Sequence, residues 1–353
     1  MQIYSDFLKD HSHDKPDPGS YEWWYFDAIS ADSEYSVVVI FYEGNPFSRR
    51  YIDATEKGNK AEAKDYPAVS ISVYKNGQTI FYSFEEVLPE HAKFSNARPE
   101  GEVKKCRFLG EQFDDRTMTY ILELRQKLPN GDALNGELHF NSVSQHLFDS
   151  KEGEGQHTWN LIQPDAHVTC ELSITGYKNE QIRFEGRGYH DHNLGLEPMK
   201  DSFDEWYWGR FHTGDYTLIY YLMNEKGKFQ NRAWLLHPSH PVRDISGTLS
   251  LDDQSVNIFG LSSAHKIEMK NGDERFMIQQ QTLLDDGPFY RRFLSRLILN
   301  MDGELHQTTG ISEYIHPARI HARVYRPLVN MRIRYPDKVH WVQKNPRLYR
   351  WTW

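Results

Sequence analysis

An all-β fold is predicted by three features of the 353-residue chain: runs that alternate with period two, glycine-containing turn pairs between those runs, and a 14% aromatic content. The alternating runs are Glu22–Phe26, Tyr35–Tyr42, Ala68–Tyr74, Thr79–Phe84, Met118–Arg125, Ala133–Phe140, His167–Ile174, Trp206–His212 and Tyr216–Met223. Few windows hold a helical period for twelve residues. Asn76-Gly77, Asn130-Gly131, Lys226-Gly227, Asn271-Gly272 and Asp302-Gly303 fall between apolar runs, where a two-residue hairpin loop needs positive φ. The 9 Trp, 21 Tyr and 19 Phe residues supply large rings to fill sandwiches or barrels. The segment from Gly44 to Tyr66 breaks the pattern, and it reads as a long, partly helical excursion that could act as a lid.

Length suggests two domains or one large β domain. The motif EWWYFDA at 22–28 is echoed by DEWYWGRF at 204–211, which suggests a duplication with β units over residues 1–182 and 183–353. In that arrangement the two aromatic openings would face a shared crevice.

A net charge of −9 argues against a nucleic-acid partner, because phosphate binding needs a basic surface. The balance reverses between Glu313 and Trp353, where nine Lys and Arg meet two acidic residues among aromatic and aliphatic side chains. Such a stretch suits either peripheral contact with an anionic membrane or the solvated faces of late strands. Cys106 and Cys170 form no CxxC motif and leave room for one bridge at most, so a reducing cytoplasmic setting is expected. No signal peptide is expected from the polar first residues, and the apolar run Val37–Tyr42 is too short to span a bilayer.

Phosphate-loop, dinucleotide, serine-hydrolase and zincin motifs are absent from the sequence. Chemistry concentrates instead in residues 183–211, RFEGRGYHDHNLGLEPMKDSFDEWYWGRF. On a strand, His190 and His192 share a face and could hold a metal with a third ligand such as His212, while Asp191 points the other way. His11-Ser12-His13 is a second pair of this kind. Alternatively, Asp191 is a carboxylic acid kept protonated among indole and phenol rings and able to donate its proton. Ring faces would then stabilise a developing carbocation. A structural reading also stands: Gly186 and Gly188 make a bend, Asp191 and Asn193 satisfy turn backbone, and the rings are core. Glu22, ahead of Trp23 and Trp24, fits either a catalytic role or a buried ion pair with Arg210.

Four stretches in order, EWWYFDA at 22–28, GNPFSRRY at 44–51, GRGYHDHNLGLEPMKDSFDEWYWGRF at 186–211 and GISEYIHPARI at 310–320, resemble the carotenoid 1,2-hydratase (hydroxyneurosporene synthase) family. The resemblance implies two lipocalin-like β-barrel or sandwich domains with an apolar ligand cavity near their junction. It implies a cofactor-independent hydratase, or a related terpenoid cyclase or isomerase, that protonates an alkene of a hydrophobic isoprenoid substrate. Asp191 falls on the proton donor. Tyr189, His190 and Asn193 would orient it, with Trp23, Trp24, Trp206 and Trp208 lining the cavity and Glu22, Arg210 and His212 near the substrate. His190, His192 and Leu194 depart from the family pattern, so the resemblance carries the fold further than the substrate. No cofactor and no metal are expected on this reading. The rival readings are a metal-dependent enzyme, a non-catalytic lipocalin-like carrier of a hydrophobic ligand, and a pericyclase acting on a polyene.

Overall fold

The computed structural model describes residues 1–114, 117–143 and 155–352. Strands dominate and form two curled, lipocalin-like sheets, so the all-β expectation is met. The chain divides into two compact units, Met1–Pro198 joined by Arg326–Trp353, and Met199–Tyr325. Residue 182, the anticipated boundary, lies inside the strand Glu180–Gly195, whose pairing on both sides binds it into the first unit. Among the described residues no helix is long and apolar enough to cross a membrane.

Five strands carry most of the candidate residues or frame them: β1 (Tyr21–Ser30), β2 (His157–Thr175) and β3 (Glu180–Gly195) in the first unit, β4 (Glu205–Thr213) and β5 (Glu304–Ile315) in the second. Both sheets use one topology. In the first, strands Gln78–Glu86, Ala68–Lys75 and Tyr35–Glu43 lead to β1; β1 pairs with β3, and β2, Ala133–Val143, Thr117–Lys127 and Cys106–Gln112 come next. In the second, His240–Asp244, Lys228–His237 and Tyr216–Glu225 lead to β4; β4 pairs with β5, and Tyr290–Met301, Glu274–Asp286, Ser262–Asn271 and Thr248–Val256 come next. β1 thus pairs with β3 as β4 pairs with β5, and the echo between EWWYFDA and EWYWGRF marks equivalent strands.

The turn pairs act largely as expected. Asn76-Gly77, Lys226-Gly227 and Asp302-Gly303 have positive φ at both residues, which matches the twist of the flanking strands. At Asn271-Gly272 the loop moves on by one residue: Asn271 pairs with Glu274, leaving Gly272 (φ 61°) and Asp273 as the turn. Gly186 and Gly188 make no bend, since both lie in the paired run of β3. A Cβ at Gly186 would sit 2.0 Å from the Ile29 carbonyl oxygen, so glycine there permits close approach of β1.

The excursion after Gly44 contains a helix, Arg49–Glu56, with Ser48 accepting from the Tyr51 amide at its start. It is pinned to its unit: Tyr51 donates to the Ser20 carbonyl (2.7 Å), Arg50 meets Glu86 (2.7 Å) and Arg326 meets Asp53 (2.7 Å). The basic C-terminal stretch does not form late strand faces. From Pro317 it is mainly short helices, separated by the two-residue strand Ile333–Arg334 that pairs with Gln78–Glu86. Trp353 lies outside the described residues. Cys106 and Cys170 are buried and free.

Aromatic rings fill the concave side of the first sheet, where Trp24, Phe26, Phe41, Phe108 and Tyr120 are almost wholly buried. The second unit closes on Tyr207, Phe211, Leu218, Tyr220, Phe276 and Leu297. Each such side chain contributes about 1.5–3 kcal/mol through burial.

Candidate active site

Strand alternation divides the HDH motif between two environments. Tyr189, Asp191 and Asn193 project from one face of β3, and His190 and His192 from the other. Because Asp191 pairs with Tyr25 and Asn193 with Trp23, those two rings of β1 share the Asp191 face. On its other flank β3 pairs with β2, whose register is broken between Leu161 and Gln163 and again before Ala166. Such irregularities twist a strand and re-aim its side chains.

Asp191 is buried and gathers three donors. The indole Nε1 of Trp159 donates to Oδ2 at 2.6 Å, the Tyr189 hydroxyl donates to Oδ2 at 2.7 Å, and the Asn193 amide donates to Oδ1 at 2.8 Å. Tyr189 is wholly buried, and burial with the adjacent Asp191 charge raises its hydroxyl well above the ordinary phenol range, so it remains a donor. Nearby, Tyr21 stacks on Trp23 at 4.8 Å and its hydroxyl meets His157 Nδ1 at 2.8 Å. Burial lowers His157 to about 4, so near neutral pH the ring is uncharged and its Nδ1 can accept a hydrogen bond from the Tyr21 hydroxyl. Its 3.6 Å approach to Glu197 is therefore not an ion pair at that pH.

The opposite face of β3 carries a buried charged network. Asp10, in the N-terminal segment, lies 3.0 Å from His190 Nε2 and accepts from the Tyr120 hydroxyl. It is also 3.1 Å from His192 Nδ1, an ionic contact without hydrogen-bond alignment. His192 Nε2 meets Glu22 at 2.8 Å, His13 Nδ1 meets the same oxygen at 2.8 Å, and Lys15 bridges Glu22 and Glu43. Burial alone would raise both buried acids. His190 and His192 instead hold Asp10 down to about 2, and His192, His13 and Lys15 pull Glu22 well below the carboxylate range. Against the cost of its own burial, His192 is raised to about 9 by Glu22 and Asp10. Trp24 stacks on His192 at 4.6 Å and Phe26 on His190 at 3.9 Å, so both imidazoles are stacked as well as bonded.

The anticipated residues therefore separate. Tyr189 and Asn193 hold Asp191, as the acid reading requires. His190 does not orient Asp191: its nitrogens are committed to Asp10 and the Tyr25 carbonyl (2.9 Å) on the other face. Glu22 and Trp24 belong to that same interior, while Trp23 lies on the Asp191 face. In the second unit Trp206, Trp208, Arg210 and His212 alternate to one face of β4, with Trp206, Trp208 and Arg210 buried and His212 bonded to Thr217 at 2.8 Å. Among the described residues, the His, Asp and Glu side chains close enough to share a metal are His13, Glu22 and His192. The combination of His190, His192 and His212 is not among them. At that cluster the Lys15 ammonium already contacts Glu22, a fixed cation that a metal would have to displace.

Sequence reasoning missed Trp159, His157, Tyr21 and Tyr25 around Asp191, and Asp10 and Lys15 in the interior. The Asp191 cage depends on cross-strand register, which periodicity alone does not supply.

This arrangement can hold a buried carboxyl group among aromatic rings with its two oxygens differently bonded. The carotenoid hydratase CrtC family matches residues 112–344. The hydroxyneurosporene dehydrogenase of Chlorobaculum tepidum is 31% identical over 348 residues, covering 92% of this chain and 90% of that protein. The chain belongs to the carotenoid hydratase CrtC family. An acyclic carotenoid 1,2-hydratase of Thiocapsa roseopersicina is 24% identical over 85% of this chain and 71% of its own length. The quinolone epoxide rearrangement protein asqO of Emericella nidulans is 24% identical over 63% of this chain and 60% of its own. Among solved structures, a putative AttH from Nitrosomonas europaea superposes with a TM-score of 0.60 at 13% identity, covering 88% of this chain and 96% of that one. Kievitone hydratase from Nectria haematococca gives 0.55 at 13% identity, with 88% and 93% covered. These likenesses show the fold. Family membership makes the protein an enzyme of the hydro-lyase or related isomerase type.

Proposed function

We propose that this enzyme protonates an alkene of an acyclic carotenoid or similar isoprenoid at Asp191 and that water captures the resulting cation. The observation that carries the reading is the three-donor cage around the buried Asp191 carboxyl group. In the forward step the acid proton passes from Asp191 to the less substituted alkene carbon, leaving a tertiary cation and a carboxylate. Hydrogen bonds to a carboxylate favour its charged form, so Trp159, Tyr189 and Asn193 stabilise the anion left behind. Rings on the same face offer negative π surface to the cation. Water adds to the cationic carbon and its proton returns to Asp191, so the cycle consumes one water and needs no redox or group-transfer cofactor. Capture by an internal alkene or heteroatom would instead give an isomer, a reading favoured by the relative named for epoxide rearrangement.

Incubation of acyclic carotenoids and simpler prenylated lipids in detergent, followed by mass-resolved chromatography, tests this. Wild type is expected to form a product heavier by one water, with Asp191→Asn slower by about 10²-fold or more. Asp191→Asn activity within a few-fold of wild type would overturn the assignment.

A further inference from the structure

Most of the tryptophans are at least partly buried, but Trp341 and Trp351 are 66% and 89% exposed. Trp341 opens the C-terminal helix Trp341–Lys344 and Trp351 caps the helix Pro346–Arg350, both helices being seated in the first unit. Val342 and Gln343 are buried, and the Gln343 amide donates to the Met331 carbonyl at 3.0 Å. Tyr349 is buried against Tyr82, and its hydroxyl donates to the Arg332 carbonyl at 3.1 Å. With these anchors facing inward, Trp341, Lys344, Arg347, Leu348 and Trp351 are held outward. Beside them a recess of about 560 Å³ is lined by Tyr177, Arg347, Arg350 and Trp351, with the Arg350 guanidinium 4.6 Å from the centre of the Tyr177 ring.

We propose that this surface docks the enzyme on an anionic lipid bilayer. Between Asp337 and Trp351 the chain carries Lys338, Lys344, Arg347 and Arg350 against one acid, on a protein whose net charge is −9. That local reversal suits anionic headgroups, to which nearby Lys and Arg side chains are attracted. Indole rings favour the headgroup level, where an apolar body and a polar N–H are both accommodated. Arg347, exposed at this recess, can pair with a lipid phosphate bidentately, while Arg350 is held 3.7 Å from Asp132 and forms part of the recess wall. The proposal does not rest on the chemistry assigned to Asp191, and vesicle binding is measured without turnover.

The test is cosedimentation of the full chain with phosphatidylcholine vesicles, with and without phosphatidylglycerol, at low and high salt. Wild type should pellet with the phosphatidylglycerol vesicles at low salt and be released by high salt. Lys344→Glu combined with Arg347→Glu should weaken binding by at least about tenfold, and Trp341→Ser combined with Trp351→Ser should abolish the remainder. These side chains point outward, and circular dichroism would confirm that each variant remains folded. No binding by wild type, equal binding without phosphatidylglycerol, or unchanged binding by both variants would overturn the proposal. So would a dimer of wild type that the tryptophan variant lacks and vesicles do not dissociate, because the surface would then join two copies.

Discussion

Glu22 and His192 meet at 2.8 Å from adjacent strands β1 and β3, and the second unit places Glu205 and Tyr314 at the equivalent positions on β4 and β5, 2.6 Å apart. One carboxylate contact is thus retained between the closing strands of both units, but with different electrostatics. In the first it is an ion pair inside a network. In the second it is a neutral hydroxyl donating to a carboxylate nearer solvent.

The difference predicts unequal costs of removal. Glu22→Gln strips the charge facing His192 and Lys15 and should destabilise the protein by about 3–5 kcal/mol, the penalty for breaking a buried pair. Tyr314→Phe removes one hydrogen bond and should cost about 1–2 kcal/mol. Urea denaturation of the two variants checks the order, and equal losses would contradict a network built on the Glu22 charge.

The same groups set the pH range of stability. His192 is raised to about 9 in the fold, so its contribution is complete below its unfolded value of about 6.5 and is lost as pH rises through 9. Asp10 is lowered to about 2, so its contribution is complete above about 4 and fades as pH falls toward 2. Asp10 and His192 should therefore make the melting temperature fall below about pH 4 and above about 6.5, while in the interval between them His157, lowered to about 4, adds stability as pH rises and Glu86, raised to about 7 by burial, removes it. In His192→Gln the alkaline slope should flatten.

Much of the architecture is legible in the sequence because its determinants are local. Period two locates the strands, and Asn76-Gly77 and Asp302-Gly303 locate hairpins through the φ values those residues accept. The loop after Val103 turns at Lys104, with φ 54° and no glycine to announce it. The site is half legible for a related reason. Tyr189, Asp191 and Asn193 share a face through spacing alone, whereas Trp159 reaches Asp191 across strands and Asp10 enters from a segment with no periodic pattern. Adjacency in sequence suggests that His190 orients Asp191, but on a strand adjacent side chains take opposite faces.

Close packing at the glycines of β3 gives a third prediction. A Cβ at Gly188 would lie 2.4 Å from a Val168 methyl carbon and 2.8 Å from both the Asp27 carbonyl oxygen and the Phe140 ring, and one at Gly186 would lie 2.0 Å from the Ile29 carbonyl oxygen. Gly186→Ala meets backbone and should cost about 3 kcal/mol or more, while Gly188→Ala, whose closest neighbour is a side chain, should cost about 1–2 kcal/mol. Chemical denaturation of both variants measures the difference.

Trp159 is the sharpest probe of the Asp191 cage. Trp159→Phe keeps an aromatic ring and deletes the N–H that donates to Oδ2, while Tyr189→Phe deletes the other donor to the same oxygen. A hydrogen bond to a charged group is worth about 1.5–3 kcal/mol, so each variant should lower kcat by about 10- to 100-fold. If the donors act on the anion formed as the proton leaves, the loss should fall on kcat with KM little changed. Because both donate to one oxygen, the survivor in each single variant can tighten its own bond, so the double variant should lose more than the product of the single losses. A loss confined to KM would instead make these residues part of the substrate-binding wall, and Asp191 would then act without its cage.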